Sequence, residues 1–350
     1  MYIDQFKDVM SNCRFCFMCR HLCPAGIVSG RESDTARGRA LIADTIRMHP
    51  EAINEADFVD AIYRSDLSGA SRCHCDGYHD GKGYDEIGLQ LALRRDIVAA
   101  GNAPEAVKAI AAELENSAVW EVSKKADLLF FADPSAASRP AVGAAVAKVL
   151  AAAGIDFGVI SGGCIGKALN VLGFVEAGTA VMKKFADFVN STGAKTLLVD
   201  TPAAMDAWRN DFPAAGIELK CEVKCTASYF AALAADGKIK FANVPALQFI
   251  PGDYIKNYMK CGCSDRLLNA FGTQVTSFGT NTEESYCCGE GAVVLDKLNP
   301  FLVALMVETV KRHAVAGVKI AVTSAYTANI LCAAGLDAAT LTEIAGDSVC

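Results

Sequence analysis

The sequence predicts an α/β protein in which a helical, cysteine-rich amino-terminal part precedes two duplicated α/β units, each with a parallel sheet. Three observations carry that prediction. Residues 1 to about 100 are rich in charge, hold four of the five histidines and read as short helices around cysteine loops. From Ala126 onward, short apolar runs alternate with amphipathic helices, the pattern of strands and helices stacked in layers. This second part also repeats itself at an offset of 124 residues.

In the amino-terminal part, Thr35 to His49 carries Ala36, Leu41, Ile42 and Ile46 at helical spacing. Asn54 to Arg64 follows with Ala56, Phe58, Val59 and Ile62. Leu89 to Ala100 is a third helix, ending before Gly101, and the alanine-rich stretch Asn102 to Glu121 is a fourth that bridges to the second part. Beyond it, Leu128 to Phe131 and Thr196 to Val199 are strand-like. The repeat shows in two matched openings: Gly193-Ala194-Lys195 leads a strand over Thr196–Asp200, and Gly317-Val318-Lys319 leads one over Ile320–Ser324. Helices of similar length, Ala177–Ser191 and Phe301–Ala314, precede these strands, and the same offset lays Gly163-Cys164 on Cys287-Cys288. The expected domains are 1–105, 126–242 and 243–350. Ser161-Gly162-Gly163 with Gly166 reads as a tight strand-to-helix turn, without the Gly-x-Gly-x-x-Gly order of a nucleotide site. His313 reads as a surface residue of a helix.

Composition narrows the function. With 350 residues, 52% hydrophobic and 21% charged, the chain is ordinary globular material of about two domains' length. Thirty-three Lys+Arg against 40 Asp+Glu leave a net charge of −7, which argues against a nucleic-acid partner. The longest apolar tract, Ala141 to Ile160, is broken by Lys148 and Asp156, so no membrane span is expected. The opening residues, Met-Tyr-Ile-Asp-Gln-Phe-Lys, lack a charged segment followed by an apolar one, so they are not expected to be a secretory signal. Fifteen cysteines, an odd count, then point to metal or redox chemistry in a reducing compartment rather than to a disulfide framework. The expected location is cytoplasmic, peripheral to a membrane complex through a partner.

Six of those cysteines lie between residues 13 and 75. The run Cys13-x2-Cys16-x2-Cys19-x3-Cys23-Pro24 has the spacing of the bacterial ferredoxin motif for a [4Fe-4S] cluster. Three thiolates so spaced can wrap one cluster, while the fourth, ahead of proline, serves a second cluster in two-cluster ferredoxins. Zinc sites instead separate their Cys pairs by a longer loop. The fourth ligand is expected from Cys73 or Cys75, in Cys73-His74-Cys75-Asp76-Gly77-Tyr78-His79-Asp80. Six cysteines complete one all-thiolate cubane and cannot complete two. A second cluster would draw on His74, His79 or Asp76. In the carboxy-terminal part, the vicinal pair Cys287-Cys288-Gly289 stands out, and Cys261-Gly262-Cys263 lies close enough in sequence to join it in a further metal or iron–sulfur site. Cys221, Cys225, Cys332 and Cys350 read as core or terminal residues.

The run Cys13 to Pro24, the segment Thr35-Ala36-Arg37-Gly38-Arg39, the stretch Ala153–Phe157 with Gly163-Cys164, and Cys287-Cys288-Gly289 together resemble one family. It comprises iron–sulfur proteins with a heterodisulfide reductase-like ferredoxin domain followed by two cysteine-rich CCG domains. Relatives include the heterodisulfide reductase D-type subunit and the iron–sulfur subunits of anaerobic glycerol-3-phosphate dehydrogenase and of glycolate oxidase. The resemblance covers essentially the whole chain. It implies a ferredoxin-type domain and two CCG units, each of which in the family carries a vicinal pair and a later Cys-Pro-x-Cys. Here those later stretches hold Thr201, Pro202 and Ala204 in the first copy and Ala325, Tyr326 and Ala328 in the second. Gly163-Cys164 stands for the first vicinal pair and Pro134 for the early cysteine. The resemblance therefore implies an empty first CCG site and a second that keeps Cys287 and Cys288 and borrows Cys261 and Cys263.

The expected function is that of an iron–sulfur electron-transfer subunit of a multi-subunit oxidoreductase. It would relay electrons between a flavoprotein dehydrogenase subunit and another iron–sulfur subunit or a quinone-reactive one. Two alternatives stay open at this point: a catalytic subunit that reduces a disulfide or thiol substrate at a cluster on Cys261, Cys263, Cys287 and Cys288, and a zinc-stabilised scaffold without a redox role.

Overall fold

The computed structural model describes every residue except 14–15, 76, 80–81, 84 and 281, and gives 78–79 and 82–83 as backbone alone. Its amino-terminal part is a cluster of short helices. The longest are Ala36–Met48, Ala56–Tyr63 and Glu86–Ala99, close to the three expected from periodicity. Thr35 starts the first of these because its hydroxyl oxygen accepts the Gly38 N–H at 3.0 Å, supplying one of the partners a helix start lacks. The apolar faces of the three helices meet around Ile46, Ile62, Leu89 and Leu93, all buried in one core. A small antiparallel hairpin, β1 (Tyr78–His79) with β2 (Lys82–Gly83), lies between the second and third.

Two sheets follow. The first holds β3 (Trp120–Val122), β4 (Leu128–Ala132), β5 (Gly158–Gly162), β6 (Thr196–Val199) and β7 (Glu222–Cys225) in the order β3-β5-β4-β6-β7. Its strands run parallel except β3, which adds to the edge antiparallel to β5. The second holds β8 (Leu247–Ile250), β9 (Val275–Ser277), β10 (Lys319–Val322) and β11 (Ala338–Thr340), all parallel, in the order β9-β8-β10-β11. Without the β3 edge, both sheets place their second strand outside the first, then the third, then the fourth. The fold is thus mixed α/β with two largely parallel sheets. The strand β4 is a continuous apolar run and β8 is buried along its whole length, because helices cover both faces.

One expectation is corrected. The helix expected over Asn102–Glu121 ends at Asn116, and Trp120–Val122 turns into a strand. Trp120 and Val122 suit a half-buried pleated surface and pair with Gly162 and Ile160 across the β5 edge. Phe241 bridges to Val349, and Lys240 and Cys350 exchange backbone hydrogen bonds, so the end of the first unit is fastened to the end of the second. One apolar core, with Phe130, Leu198 and Phe230 from the first unit and Leu247, Leu267 and Ile344 from the second, joins the sheets. Among the described residues no helix is long and apolar enough to cross a membrane.

Candidate metal centre

The cysteine run opens the amino-terminal part. Cys13 follows the short helix Lys7–Ser11, Cys19 lies in the turn Met18–His21, and Cys23 ends the run where Pro24 starts the helix Pro24–Ser29. The turn Met18–His21 packs on the turn Ala70–His74, which delivers Cys75. Cys75 and Cys13 are half-buried against the core in which Cys19 is buried, and the charges of Cys13 and Cys19 act on Cys75. Burial pushes the Cys75 thiol up to about 11, the cost of placing a lone thiolate there without a cation. Cys16 is half-buried in the same loop, beside the exposed side chains of Phe17 and Met18.

Of the two expected fourth ligands, the structure brings Cys75 to the run and not Cys73. Cys73 is exposed and lies under the charges of Lys256, Glu283 and Lys260, which belong to the second unit. His74 is paired with Glu283. Asp76 and the side chain of His79, the remaining candidates, lie outside the described residues.

Cys23 is buried between the run and the helix Ala36–Met48. Its sulfur accepts the Ala36 N–H at 3.2 Å and it shares a hydrogen bond with Cys19, which holds the Cys19 thiol below its usual range and raises that of Cys23. The charges of Arg39 and Glu86 reach it. Around it lies a regularity that sequence reading missed: Cys13, Cys16, Cys19 and Cys23 recur 52 residues later as Ser65, Ser68, Ser71 and Cys75. The second run keeps the spacing and has lost three of its thiols. All three serines are buried. Ser71 donates to Glu86, and the charges of Arg39 and Glu86 reach Asp66, to which Ser68 is hydrogen-bonded. In ferredoxins the fourth cysteine of each run serves the other run's cluster. By that rule Cys75 would join Cys13, Cys16 and Cys19, while Cys23 lies under the charges of Arg39 and Glu86. Among the described residues the donor set fits one [4Fe-4S] cluster on four thiols and offers no second set of four.

The segment Thr35-Ala36-Arg37-Gly38-Arg39 has a physical task at this site. Thr35 caps the helix, Ala36 binds the Cys23 sulfur, and Arg39 donates to the Asp34 carbonyl at 2.6 Å. Gly38 lets the helix approach the Glu32 carbonyl, which a Cβ would meet at 2.0 Å.

Farther along the chain, the four cysteines expected to share a site are separated. Cys287 and Cys288 are buried in a cluster with Ile250, Leu295 and Leu302, whereas Cys261 and Cys263 pack with Cys225 and Met259. The Cys287 thiol donates to the Pro251 carbonyl at 3.2 Å and stands with the carboxylates of Asp253 and Glu290, all three ligand atoms within 4.8 Å of one another. Burial, then Asp253 and Glu290, drive the Cys287 thiol well above its usual range. One sulfur and two carboxylates do not make an iron–sulfur donor set. The backbone of the pair is tied by hydroxyls instead: Thr327 Oγ1 donates to the Cys287 carbonyl at 3.2 Å and Tyr326 OH to that of Cys288 at 3.3 Å.

The first unit is closed in another way. At Gly163 a Cβ would meet the Ser117 carbonyl at 2.0 Å, so no cysteine fits where the second unit has Cys287. The segments on either side of the would-be site are joined by a buried ion pair, Lys167 Nζ to Asp206 at 2.6 Å and to Asp211 at 2.9 Å. Cys164 is buried with its sulfur accepting the Gly166 N–H at 3.2 Å. The turn at Gly166 is the tight one expected, with φ at 98°. Comparison with family models, with curated proteins and with solved structures finds no match to this chain.

Proposed function

We propose that this chain is a one-electron carrier: an iron–sulfur subunit of a larger oxidoreductase, with a single [4Fe-4S] cluster held by Cys13, Cys16, Cys19 and Cys75. The observation that carries the reading is the arrival of Cys75 beside Cys13 and Cys19, from a turn about fifty residues away. When bound, such a cluster accepts and releases single electrons at a potential set by burial and by hydrogen bonds to sulfur. The chain's own residues do the rest. Cys19 and Cys75 are held by the packed turns, and the exposed Phe17 and Met18 beside Cys16 put this end of the molecule at the surface, where a redox partner can approach.

A flavoprotein dehydrogenase subunit and a further iron–sulfur subunit are the partners this reading calls for, in the cytoplasm. The two sheets of equal strand order support a duplicated CCG-type pair. Their closed sites then leave the pair as a scaffold. Reduction of a disulfide at Cys261, Cys263, Cys287 and Cys288 is not favoured, because that reading needs four thiols that pack in two separate clusters.

Anaerobic iron and sulfide analysis with EPR of the reduced chain tests the assignment. About four irons per chain are expected for one cubane. Cys75→Ser should abolish the cluster signal, while Cys73→Ser and Cys23→Ser should keep it. Iron-free protein, or iron near eight per chain that falls by half in Cys23→Ser, would overturn the reading. Stoichiometric co-purification with a flavoprotein tests the relay.

A further inference from the structure

Cys261 and Cys263, expected beside Cys287 and Cys288, instead meet Cys225, which was read as a core residue. Cys225 ends β7 and caps the helix Thr226–Ala235, with its sulfur accepting the Ser228 N–H at 3.3 Å. Cys263 is the first residue of the helix Cys263–Phe271, and Cys261 lies two residues before it. The sulfurs of Cys261 and Cys263 are 3.0 Å apart, and Cys263 is also hydrogen-bonded to Cys225, so it stands between the other two and touches both. From these contacts we infer that Cys225, Cys261 and Cys263 form a binding site for one thiophilic closed-shell cation, Zn2+ or Cu+.

Several observations separate this from a chance packing of small apolar residues. First, the thiols touch one another as well as their apolar neighbours, and two of them sit at the starts of helices. Second, cysteine is a poor helix cap, and the topologically equivalent position in the second unit, Thr340 at the end of β11, carries an ordinary capping box with Glu343. The fold does not need sulfur there. Third, the chain before Cys261 is bent through a left-handed residue, Lys260 at φ 47°, a conformation that side chains rarely take without a reason. Fourth, the three cysteines line an open groove of about 500 Å³ together with Met205, Met259 and Arg266. Thiolates and thioethers select soft cations.

The geometry needs little adjustment. Around one zinc ion, sulfurs at about 2.3 Å sit roughly 3.8 Å apart. Cys261, half-buried and on the groove side, can open that distance by turning its side chain. Three thiolates exceed the charge of either cation, and Arg209 and Arg266, whose charges act on Cys261, offset the excess. The fourth coordination position would face the groove. Binding displaces thiol protons to solvent and involves no electron transfer.

The site is independent of the amino-terminal cluster and is tested separately. The full reduced chain is titrated anaerobically with Co2+, as a reporter for Zn2+, and with Cu+ buffered by a chelator. Cys225→Ala and Cys261→Ala are each expected to bind one equivalent less than the parent in one of the two arms, with loss of thiolate-to-metal absorption. Cys221→Ala should match the parent. A protection measurement on the unsubstituted chain guards against variants that fail to fold. Alkylation of Cys225 and Cys261, read by peptide mass spectrometry, should slow about tenfold or more on adding the cation, because the bound thiolate is no longer a free nucleophile. No difference in stoichiometry and no protection, or iron with sulfide found on these residues, would overturn the assignment.

Discussion

Asp200 shows what a single buried group does to this protein. It sits at the end of β6 and accepts hydrogen bonds from Thr226 Oγ1 at 2.5 Å and from Thr342, one hydroxyl from each unit. Its second oxygen has no partner. Burial raises its pKa from 3.8 to about 6. The folded state therefore holds a proton that the unfolded state gives up, and stability falls as pH rises from about 4 to about 6. Asp200→Asn removes the titration and keeps an oxygen for both hydroxyls. Its urea midpoint should match the parent at pH 4, then exceed it by an amount that grows to pH 6 and levels off. The full gap is on the order of 3 kcal/mol. A gap that stays constant with pH would show that Asp200 is not the titrating group. The same scale holds the contrast between Cys75 and Cys73: two thiols two residues apart, of which packing turns one toward the cysteine run and the other toward Lys256 and Glu283.

Among elements, the helix Ala36–Met48 has the clearest consequences. Its start carries a cap, a ligand to the Cys23 sulfur and a glycine against the Glu32 carbonyl. Thr35→Ala should cost about 1 kcal/mol in chemical denaturation, the usual cost of a lost cap. Gly38→Ala should cost more, because the new methyl group meets backbone that cannot swing aside. If Gly38→Ala unfolds at the same denaturant concentration as Thr35→Ala or later, the close approach is not a constraint. The helix itself was legible from its apolar spacing. Its role was not, since the partners of its first turn come from residues 23 and 32.

Across the whole molecule, the two α/β units behave as one body. Helices Pro140–Ala152 and Leu341–Ser348 pack so closely that a Cβ at Gly346 would meet that of Ala145 at 2.4 Å. Arg139, just before the first of these helices, reaches across to Glu343 at 2.8 Å and to the Ala338 carbonyl at 3.0 Å. Glu343 is nearly buried, so Arg139→Ala leaves its charge without the guanidinium and should cost roughly 3 kcal/mol in urea unfolding. Arg139→Lys should recover only part of this, because an ammonium lacks the fork that serves both partners. Equal stability of the two variants would reduce the contact to simple charge pairing. The amino-terminal part is bound to this body through buried Arg94, which donates to the carbonyls of Ile62 and Ser65 on one side and Val171 on the other.

Periodicity and spacing by themselves determined the helices of the amino-terminal part, the alternation of strands and helices after Ala126 and the cysteine run. Each of these depends on residues near one another in the chain. A further local signal, the serine copy of that run at 65, 68 and 71, was present but hidden by the change from sulfur to oxygen. Only the tertiary structure decided which cysteines meet. Cys261 and Cys263 are nearer in sequence to Cys287 than to Cys225, yet they pack with Cys225, because the helices Thr226–Ala235 and Cys263–Phe271 that follow them pack together. It also decided that no side chain fits at Gly163, since the Ser117 carbonyl that excludes one comes from the end of the helix Glu105–Asn116. Contacts of that kind are set by how layers stack, and no spacing along the chain encodes them.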